Sequence, residues 1–284
     1  MSTKGRGPRL RALWLGQQMR ELRESTGRSL QDAADYLHRS TATISRLETG
    51  DYPARRGDVL ALMDLYGVSD ERRRDGLIKL SEEVWRKGWW NGYTDQIPGS
   101  VIDYSWLEDR ATAIRSLDLV VIPGILQTQG YAEALTATME PDAPAEQRAR
   151  WVEFRMARQH VLDKEDAPQL AVLLDEALLR RRIGGPEVMR AQLRHLAAMA
   201  ERPNVEIRVL PFGVGAHTGH EGAFTLVEMP EPYPDVVYVE TPAGAIFVEE
   251  PDTERFTKAY DRSWKASLGP KESVELISAA EELQ

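Results

Sequence analysis

The sequence predicts an all-α N-terminal domain of five short helices, followed by an α+β C-terminal domain with a mostly antiparallel sheet. Residues 10–86 show helical periodicity interrupted only by turn residues, whereas four short apolar runs follow one another between residues 206 and 250. Consecutive strands usually pair with their neighbours in the chain, which favours antiparallel pairing. A length of 284 residues also fits two domains.

Apolar spacing and end signals define the N-terminal helices. Leu15, Met19 and Leu22 recur at helical spacing, which predicts the first helix. Ser29, followed three residues later by Asp32, is typical of a capping box at the start of the second helix. The first helix is expected to end at Thr26-Gly27, and the third to begin at the N-cap Ser40 and end at a left-handed Gly50. The fourth helix is expected from Asp58 to Tyr66 and the fifth from Asp70 to Trp85.

The segments outside these helices have different compositions. Residues 1–9, rich in Gly and Arg, predict a flexible basic arm, and glycines and a proline interrupt the aromatic stretch at residues 87–100, which predicts a linker. Residues 101–284 mix helices with strands. The expected strands are residues 117–122, residues 170–174 and the runs EIRVLPF, AFTLVEM, VVYVET and GAIFVEE; the expected helices are 127–139, 144–163, 186–200, 252–267 and 270–282.

Composition excludes several classes of protein and reveals an uneven charge. The chain has no cysteine, so disulfides, thiolate metal sites and cysteine nucleophiles are excluded. No apolar run approaches the roughly 18 residues of a membrane span, and the N-terminus lacks a secretory apolar core, so a cytoplasmic protein is expected.

The net charge is −9, but residues 1–60 carry +4 and the remainder −13. A basic end on an acidic body can be a solvated surface or a phosphate-binding face.

The third expected helix has two distinct faces. Ile44 and Leu47 lie together on one face, while small polar residues and Arg46 cluster on the other. A helix with this outer face fits the major groove of double-stranded DNA, where hydroxyl groups and a guanidinium contact bases or phosphates. The residues expected to contact DNA are Gln31, Arg39, Ser40, Thr41, Ala42, Thr43, Ser45, Arg46, Arg55 and Arg56.

Residues 10–66 resemble an XRE-type helix-turn-helix domain. The resemblance rests on Gly27, Ser29, Ala34, Leu37, Ser40, Thr43, Ile44, Ser45, Arg46, Leu47, Glu48 and Gly50. It implies that Glu48 pairs with Arg23 as a structural pair, in agreement with the position of Glu48 near the packed face. The family often has Gln at the start of the second helix, where this chain has Leu30, so Gln31 or the helix N-terminus is expected to replace that contact.

The resemblance extends over residues 10–284, to antitoxin-like XRE regulators of the WhiJ type. Strings such as VVIPGILQTQGYAEAL, RMARQHVL and RPNVEIRVLPFGVGAHTG follow in the family's order. The resemblance implies transcriptional regulation and often a small neighbouring protein as partner. The two-fold geometry of the motif implies a homodimer on a pseudo-palindromic operator.

The C-terminal domain offers no catalytic constellation, so an enzyme is not expected, and neither a cofactor nor a metal is predicted. The His217 to Glu221 segment is typical of a turn, and adjacent carboxylates at Asp175-Glu176 point to opposite faces of a strand. The turn before the expected helix at 127 is either structural or a contact for a ligand or partner. The candidate residues for such a contact are Gln127, Thr128, Glu176 and His217.

Three functions therefore stay open. The first is a sequence-specific DNA-binding regulator, motivated by the third helix. The second is a protein whose acidic C-terminal domain captures a small partner protein. The third is a regulator with an unknown small-molecule effector bound in the mixed domain. The first is compatible with either of the others.

Overall fold

The computed structural model describes residues 10–284, so the basic arm predicted at residues 1–9 lies outside the described residues. The chain forms two compact units. The first includes the described residues up to Trp106 together with Glu231–Tyr233, and the second includes Leu107–Pro230 and Pro234–Gln284. Within residues 10–284, no helix combines the length and the apolar character needed to cross a membrane.

The first unit is helical, but the predicted count of five helices is wrong. Residues 87–100, predicted as a linker, contain the 3-10 helix Trp89–Tyr93 and the start of a sixth α-helix, which passes into the second unit after Trp106. Trp90 and Ile97 are buried in this unit because large apolar side chains gain more from packing than from an exposed linker. Its α-helices are α1 (Leu10–Ser25), α2 (Leu30–Leu37), α3 (Thr41–Glu48), α4 (Arg56–Leu65), α5 (Glu71–Trp85) and α6 (Gly99–Arg110).

Local capping sets the limits of these helices. The Ser29 side chain accepts from the Asp32 amide and the Asp32 carboxylate accepts from the Ser29 amide, which completes a capping box before α2. Ser40 caps α3 by accepting from the Thr43 amide. Gly50, with φ +69°, follows α3 in the left-handed conformation that glycine adopts most easily.

The core of the first unit joins α1, α3 and α4. Met19, Ile44, Leu62 and Met63 are fully buried there. Gly16 on α1 lies so close to the end of α3 that a Cβ atom would stand 2.4 Å from the Leu47 carbonyl oxygen. The two helix backbones therefore meet at a position where only glycine fits.

The second unit mixes helices with one six-stranded sheet. Its strands are β1 (Ala113–Asp118), β2 (Gln169–Asp175), β3 (Val205–Leu210), β4 (Phe224–Glu228), β5 (Val236–Thr241) and β6 (Gly244–Val248). Its further helices are α7 (Gln129–Met139), α8 (Ala145–Arg158), α9 (Ala177–Arg180), α10 (Pro186–Met199), α11 (Thr253–Ala266) and α12 (Pro270–Glu282). The strand predicted at 117–122 is shifted, since β1 ends at Asp118 and the chain then turns.

The sheet is mixed, so the prediction of a mostly antiparallel sheet is wrong. The strand order is β3-β2-β1-β4-β5-β6. β1, β2 and β3 are parallel, because helices connect each of them to the next, whereas β4, β5 and β6 join the other side of β1 in antiparallel pairs. β1 is therefore the strand where the parallel half meets the antiparallel half.

Each face of the sheet combines apolar and polar side chains. One face carries Leu117, Leu173 and Leu226 and packs against Tyr260 of α11. The paired residues Ser116, Thr225 and Tyr238 form a row across the opposite face. This second face thus brings polar side chains into the interior of the unit.

Candidate nucleic-acid interface

The turn between α2 and α3 is fixed by the caps of both helices and presents α3 on the surface. His38 ends α2 in the left-handed conformation, with φ 52°, and Ser40 begins α3 two residues later. The Ser40 hydroxyl lies 2.9 Å from the Thr43 hydroxyl and also accepts from the Thr43 amide. Both hydroxyl groups therefore serve the helix cap.

Burial divides α3 into an inner and an outer face. Ile44 and Leu47 are buried in the core, as their spacing predicts. The outer face is formed by Thr41, Ala42 and Arg46, which are exposed, and by Thr43 and Ser45, which are partly exposed. The Arg46 guanidinium Nε donates to the Ala42 carbonyl at 3.3 Å, so the side chain lies along its own helix and is accessible. Arg39 in the preceding turn is exposed as well.

A buried ion pair joins α1 to the end of α3. The Arg23 Nε donates to Glu48 Oε1 at 2.7 Å and its Nη2 donates to Oε2 at 3.0 Å. The two side chains are 10% and 6% exposed. Hydrogen bonding to Glu48 raises the pKa of Arg23. Glu48 is thus part of the scaffold that orients α3, and its carboxylate is not on the outer face.

The N-terminus of α2 is occupied by its own capping box. Asp32 holds a carboxylate beside the first amides, and hydrogen bonds from the Ser29 amide and then from its hydroxyl lower the pKa of Asp32. A negative charge at this position opposes a phosphate. Gln31 is exposed next to it, and its amide donates to Asp35 at 2.6 Å. Gln31 is therefore better placed for a DNA contact than the helix terminus, which the sequence offered as the alternative.

The N-terminus of α4 differs, because it has no side-chain cap. Arg55 occupies the N-cap position and makes no side-chain capping bond, and the next residues are Arg56 and Gly57. Both arginines are exposed, and nothing lies within 4 Å of the position that a Gly57 Cβ would take. Asp58 places one carboxylate in the first turn, but the guanidinium groups of Arg55 and Arg56 outnumber it, so this helix end is more favourable to a phosphate than that of α2.

Arg55 and Arg56 also line a groove of about 810 Å³ in the first unit. Trp85, which is 53% exposed, borders it and donates its indole N–H to the Ala54 carbonyl at 2.9 Å. The complete lining consists of Arg55, Arg56, Lys79, Ser81, Glu82, Glu83, Trp85, Arg86 and Tyr233. Sequence reasoning missed Lys79 and Arg86, because only the fold brings the C-terminal half of α5 to the start of α4.

Basic residues outnumber acidic residues in this groove. Glu83 is buried and accepts from Arg86 at 2.7 Å and from the Trp106 indole at 3.1 Å. Glu82 pairs with Arg56 at 3.3 Å, and both of these side chains are exposed. Four cationic side chains thus face two carboxylates, each of which already has a cation beside it.

The C-terminal candidates Gln127 and Thr128 are structural in their immediate contacts. Gln127 is 1% exposed and donates to the Ile122 carbonyl at 2.7 Å. Thr128 caps α7, and its amide donates to the Gln192 side chain at 2.7 Å. The two residues shape the turn after β1, and Gln127 also accepts a hydrogen bond from Arg155 at 3.2 Å.

Glu176 and His217 lie near the ends of β2 and β3. Glu176 pairs with Arg180 at 3.0 Å and accepts from the Phe212 amide. His217 lies 3.9 Å from Asp175 and its Nδ1 accepts from the Gly219 amide. Among residues 10–284, no group of three His, Asp or Glu side chains is arranged to hold a metal ion.

Comparisons with known families agree with this division of the chain. A helix-turn-helix domain model matches residues 14–75, which include α2 and α3 and indicate a DNA-binding regulator. The model of a domain of unknown function, DUF5753, matches residues 101–279, more than half of the chain. No curated protein and no solved structure matches the chain. The chain therefore belongs to the DUF5753 family and carries a helix-turn-helix domain ahead of that family's domain.

Proposed function

We propose that the protein is a sequence-specific transcriptional regulator that inserts α3 into the major groove of double-stranded DNA. The observation that carries the proposal is the outer face of α3, where short polar side chains surround Arg46. Short side chains allow close approach to base edges, and a guanidinium recognises the O6 and N7 atoms of guanine. The Ser40 cap and the pair of Arg23 with Glu48 hold this face in a defined orientation.

The N-terminus of α4 and its groove supply the phosphate contacts in this proposal. Arg55 and Arg56 stand at an uncapped helix end, and Lys79 and Arg86 extend the basic surface along the groove. Phosphate contacts fix the position of the protein on the duplex without reading its sequence. The acidic remainder of the chain, with a charge of −13, limits non-specific attraction to DNA.

For the second unit we propose a sensing role, exercised through a small partner protein or a small-molecule effector. The acidic charge supports a partner, and the buried polar row of Ser116, Thr225 and Tyr238 supports an effector. A homodimer on a pseudo-palindromic operator is part of the proposal, since helix-turn-helix proteins place two recognition helices about one helical turn of DNA apart. The proposal assigns no catalytic step to either unit.

Genome-wide mapping of bound DNA in the native host tests the DNA-binding role. We expect wild-type protein to give discrete sites with paired half-sites. For an operator found in this way, Arg46→Ala should raise the dissociation constant measured in vitro roughly 5- to 150-fold, which corresponds to about 1–3 kcal/mol. Arg72→Ala, an exposed arginine of α5 outside the groove, is the matched control and leaves the sites unchanged. Operator affinity that is equal in wild type and Arg46→Ala contradicts the assignment of α3.

Salt dependence separates the phosphate contacts from the base contacts. Arg55→Gln should reduce the slope of log affinity against log salt by about 1 and weaken all duplexes to a similar extent. Arg46→Ala should instead weaken the operator more than an unrelated duplex. An affinity that does not depend on salt would exclude the basic groove as a phosphate-binding surface.

A further inference from the structure

Two arginines of α8 meet at the turn that follows β1. Arg155 and Arg158 are three residues apart and share one face of the helix. The position that a Gly124 Cβ would take lies 3.1 Å from Arg158 Nη2 and 3.4 Å from Arg155 Nη1. The absence of a side chain at Gly124 therefore leaves room for both guanidinium groups beside the turn.

The two arginines differ in their counter-charges. Arg158 forms a buried ion pair with Glu108, with 2.7 Å between Nε and Oε2, and the side chains are 11% and 1% exposed. Within residues 10–284, no carboxylate lies within ion-pair distance of Arg155, whose hydrogen bond goes to the neutral amide of Gln127 at 3.2 Å. Glu240 of β5 and, more weakly, Glu108 attract Arg155 without forming an ion pair with it.

Arg155 is therefore a partly buried cation without a direct counter-ion. Burial, and then the neighbouring Arg158, lower the pKa of Arg155, so both effects disfavour its charged form. Guanidinium groups keep their proton in proteins, so this arrangement is unfavourable for folding. An unfavourable charge retained in a folded interior is typical of a binding site.

The cluster also lies at a place in the sheet where ligands commonly bind in related architectures. The turn at residues 123–127 follows the carboxyl end of β1, the strand where the parallel and antiparallel halves of the sheet meet. Open sheets with parallel strands bind ligands outside the carboxyl ends, at the point where the strand order changes. Tyr238, in the polar row of the same sheet, lies in the electrostatic field of both arginines.

We propose that Arg155 and the turn at residues 123–127 form a binding site for a small oxyanion, the carboxylate or phosphate group of a small molecule. A guanidinium binds such a group through two parallel hydrogen bonds, and Arg155 uses only one donor within the described part of the chain. The anion supplies the charge that Gln127 lacks. The site defines a ligand class for the second unit, and it does not depend on the assignment of α3 to DNA.

Thermal unfolding of the full-length chain tests the site. The melting temperature is measured in sodium phosphate, sodium acetate and sodium chloride at equal ionic strength. We expect phosphate, acetate or both to raise the melting temperature in a saturable manner, by about 3 °C or more above chloride. The phosphate and acetate series identify which group the site accepts. Arg155→Gln should abolish the rise, whereas Arg150→Gln, a control on the same helix, should retain it.

Isothermal titration calorimetry with the same salts gives a second measurement that does not depend on melting behaviour. Arg155→Lys keeps the charge but loses the two-donor geometry, so we expect its dissociation constant to be at least about tenfold larger than that of wild type. Two results overturn the proposal. One is the absence of any effect of phosphate and acetate beyond that of chloride, and the other is an undiminished effect in Arg155→Gln and Arg155→Lys.

Discussion

The buried ion pair between α1 and α3 gives a quantitative prediction for the helical unit. In Glu48→Leu, Arg23 loses its two hydrogen bonds to the carboxylate and keeps only the Arg28 carbonyl at 3.0 Å and the longer bond to Glu24 at 3.3 Å. Glu24 is 52% exposed, so water screens its attraction. Leaving one charge of a buried pair without its partner costs about 3–5 kcal/mol, and we expect that loss in the free energy of unfolding.

Two further variants separate the lost pair from a general packing defect. Glu24→Leu removes a carboxylate that also bonds to Arg23 but at the surface, so its effect should be much smaller than that of Glu48→Leu. The double variant Arg23→Met with Glu48→Leu removes both charges and replaces them with apolar side chains of similar size. Because an apolar replacement of a buried pair is often neutral, the double variant should recover most of the lost stability.

Urea unfolding followed by circular dichroism measures the loss, and thermal unfolding provides a check. For a unit of about 100 residues, a loss of 3 kcal/mol corresponds to a decrease of roughly 12 °C or more in melting temperature. The reasoning is refuted if Glu48→Leu is no less stable than Glu24→Leu. It is also refuted if the double variant is as unstable as the single one, because the unpaired charge would then not be the cause.

Two other predictions concern stability. Gly16→Ala places a Cβ atom 2.4 Å from the Leu47 carbonyl oxygen and should cost about 1–3 kcal/mol or more in urea unfolding, whereas Gly57→Ala, in open space on α4, should be neutral or slightly stabilising. Equal effects of the two alanines would contradict the close approach of α1 and α3. Burial raises the pKa of Asp118 from 3.8 to about 7. The unfolded chain therefore releases this proton at a lower pH than the folded chain, so the free energy of unfolding decreases as pH rises through that range. Wild type should therefore lose about 3 kcal/mol between pH 5 and 8 through this group, and Asp118→Asn should lack that part of the dependence; identical pH profiles would exclude it.

Local signals explain why the helical unit was largely predictable. The capping residues Ser29 and Ser40 act within three residues of their partners, so the sequence contains the whole interaction. The spacing of Ile44 and Leu47 likewise predicts the buried face of α3. The sequence does not predict the sixth helix, because an aromatic stretch is compatible both with a linker and with a buried helix. Only the packing of the folded chain distinguishes the two.

Long-range pairing explains the errors in the second unit. The strand runs predict that β1 to β6 exist, but the placement of β4 beside β1 depends on contacts more than 100 residues apart. Gln127 was recognised as a candidate through its turn. Arg155 was not, because its meaning depends on Gly124, 31 positions earlier, and on the absence of a nearby carboxylate among the described residues.

Thermodynamic linkage decides whether the proposed anion site serves regulation. An anion that changes operator affinity by some factor must have its own affinity changed by operator DNA by the same factor. The ratio of anion dissociation constants with and without operator duplex therefore measures the coupling between Arg155 and α3 directly. A ratio different from one makes the anion an effector of the regulator. A ratio of one assigns the anion site to a separate task of the second unit, however tightly either ligand binds.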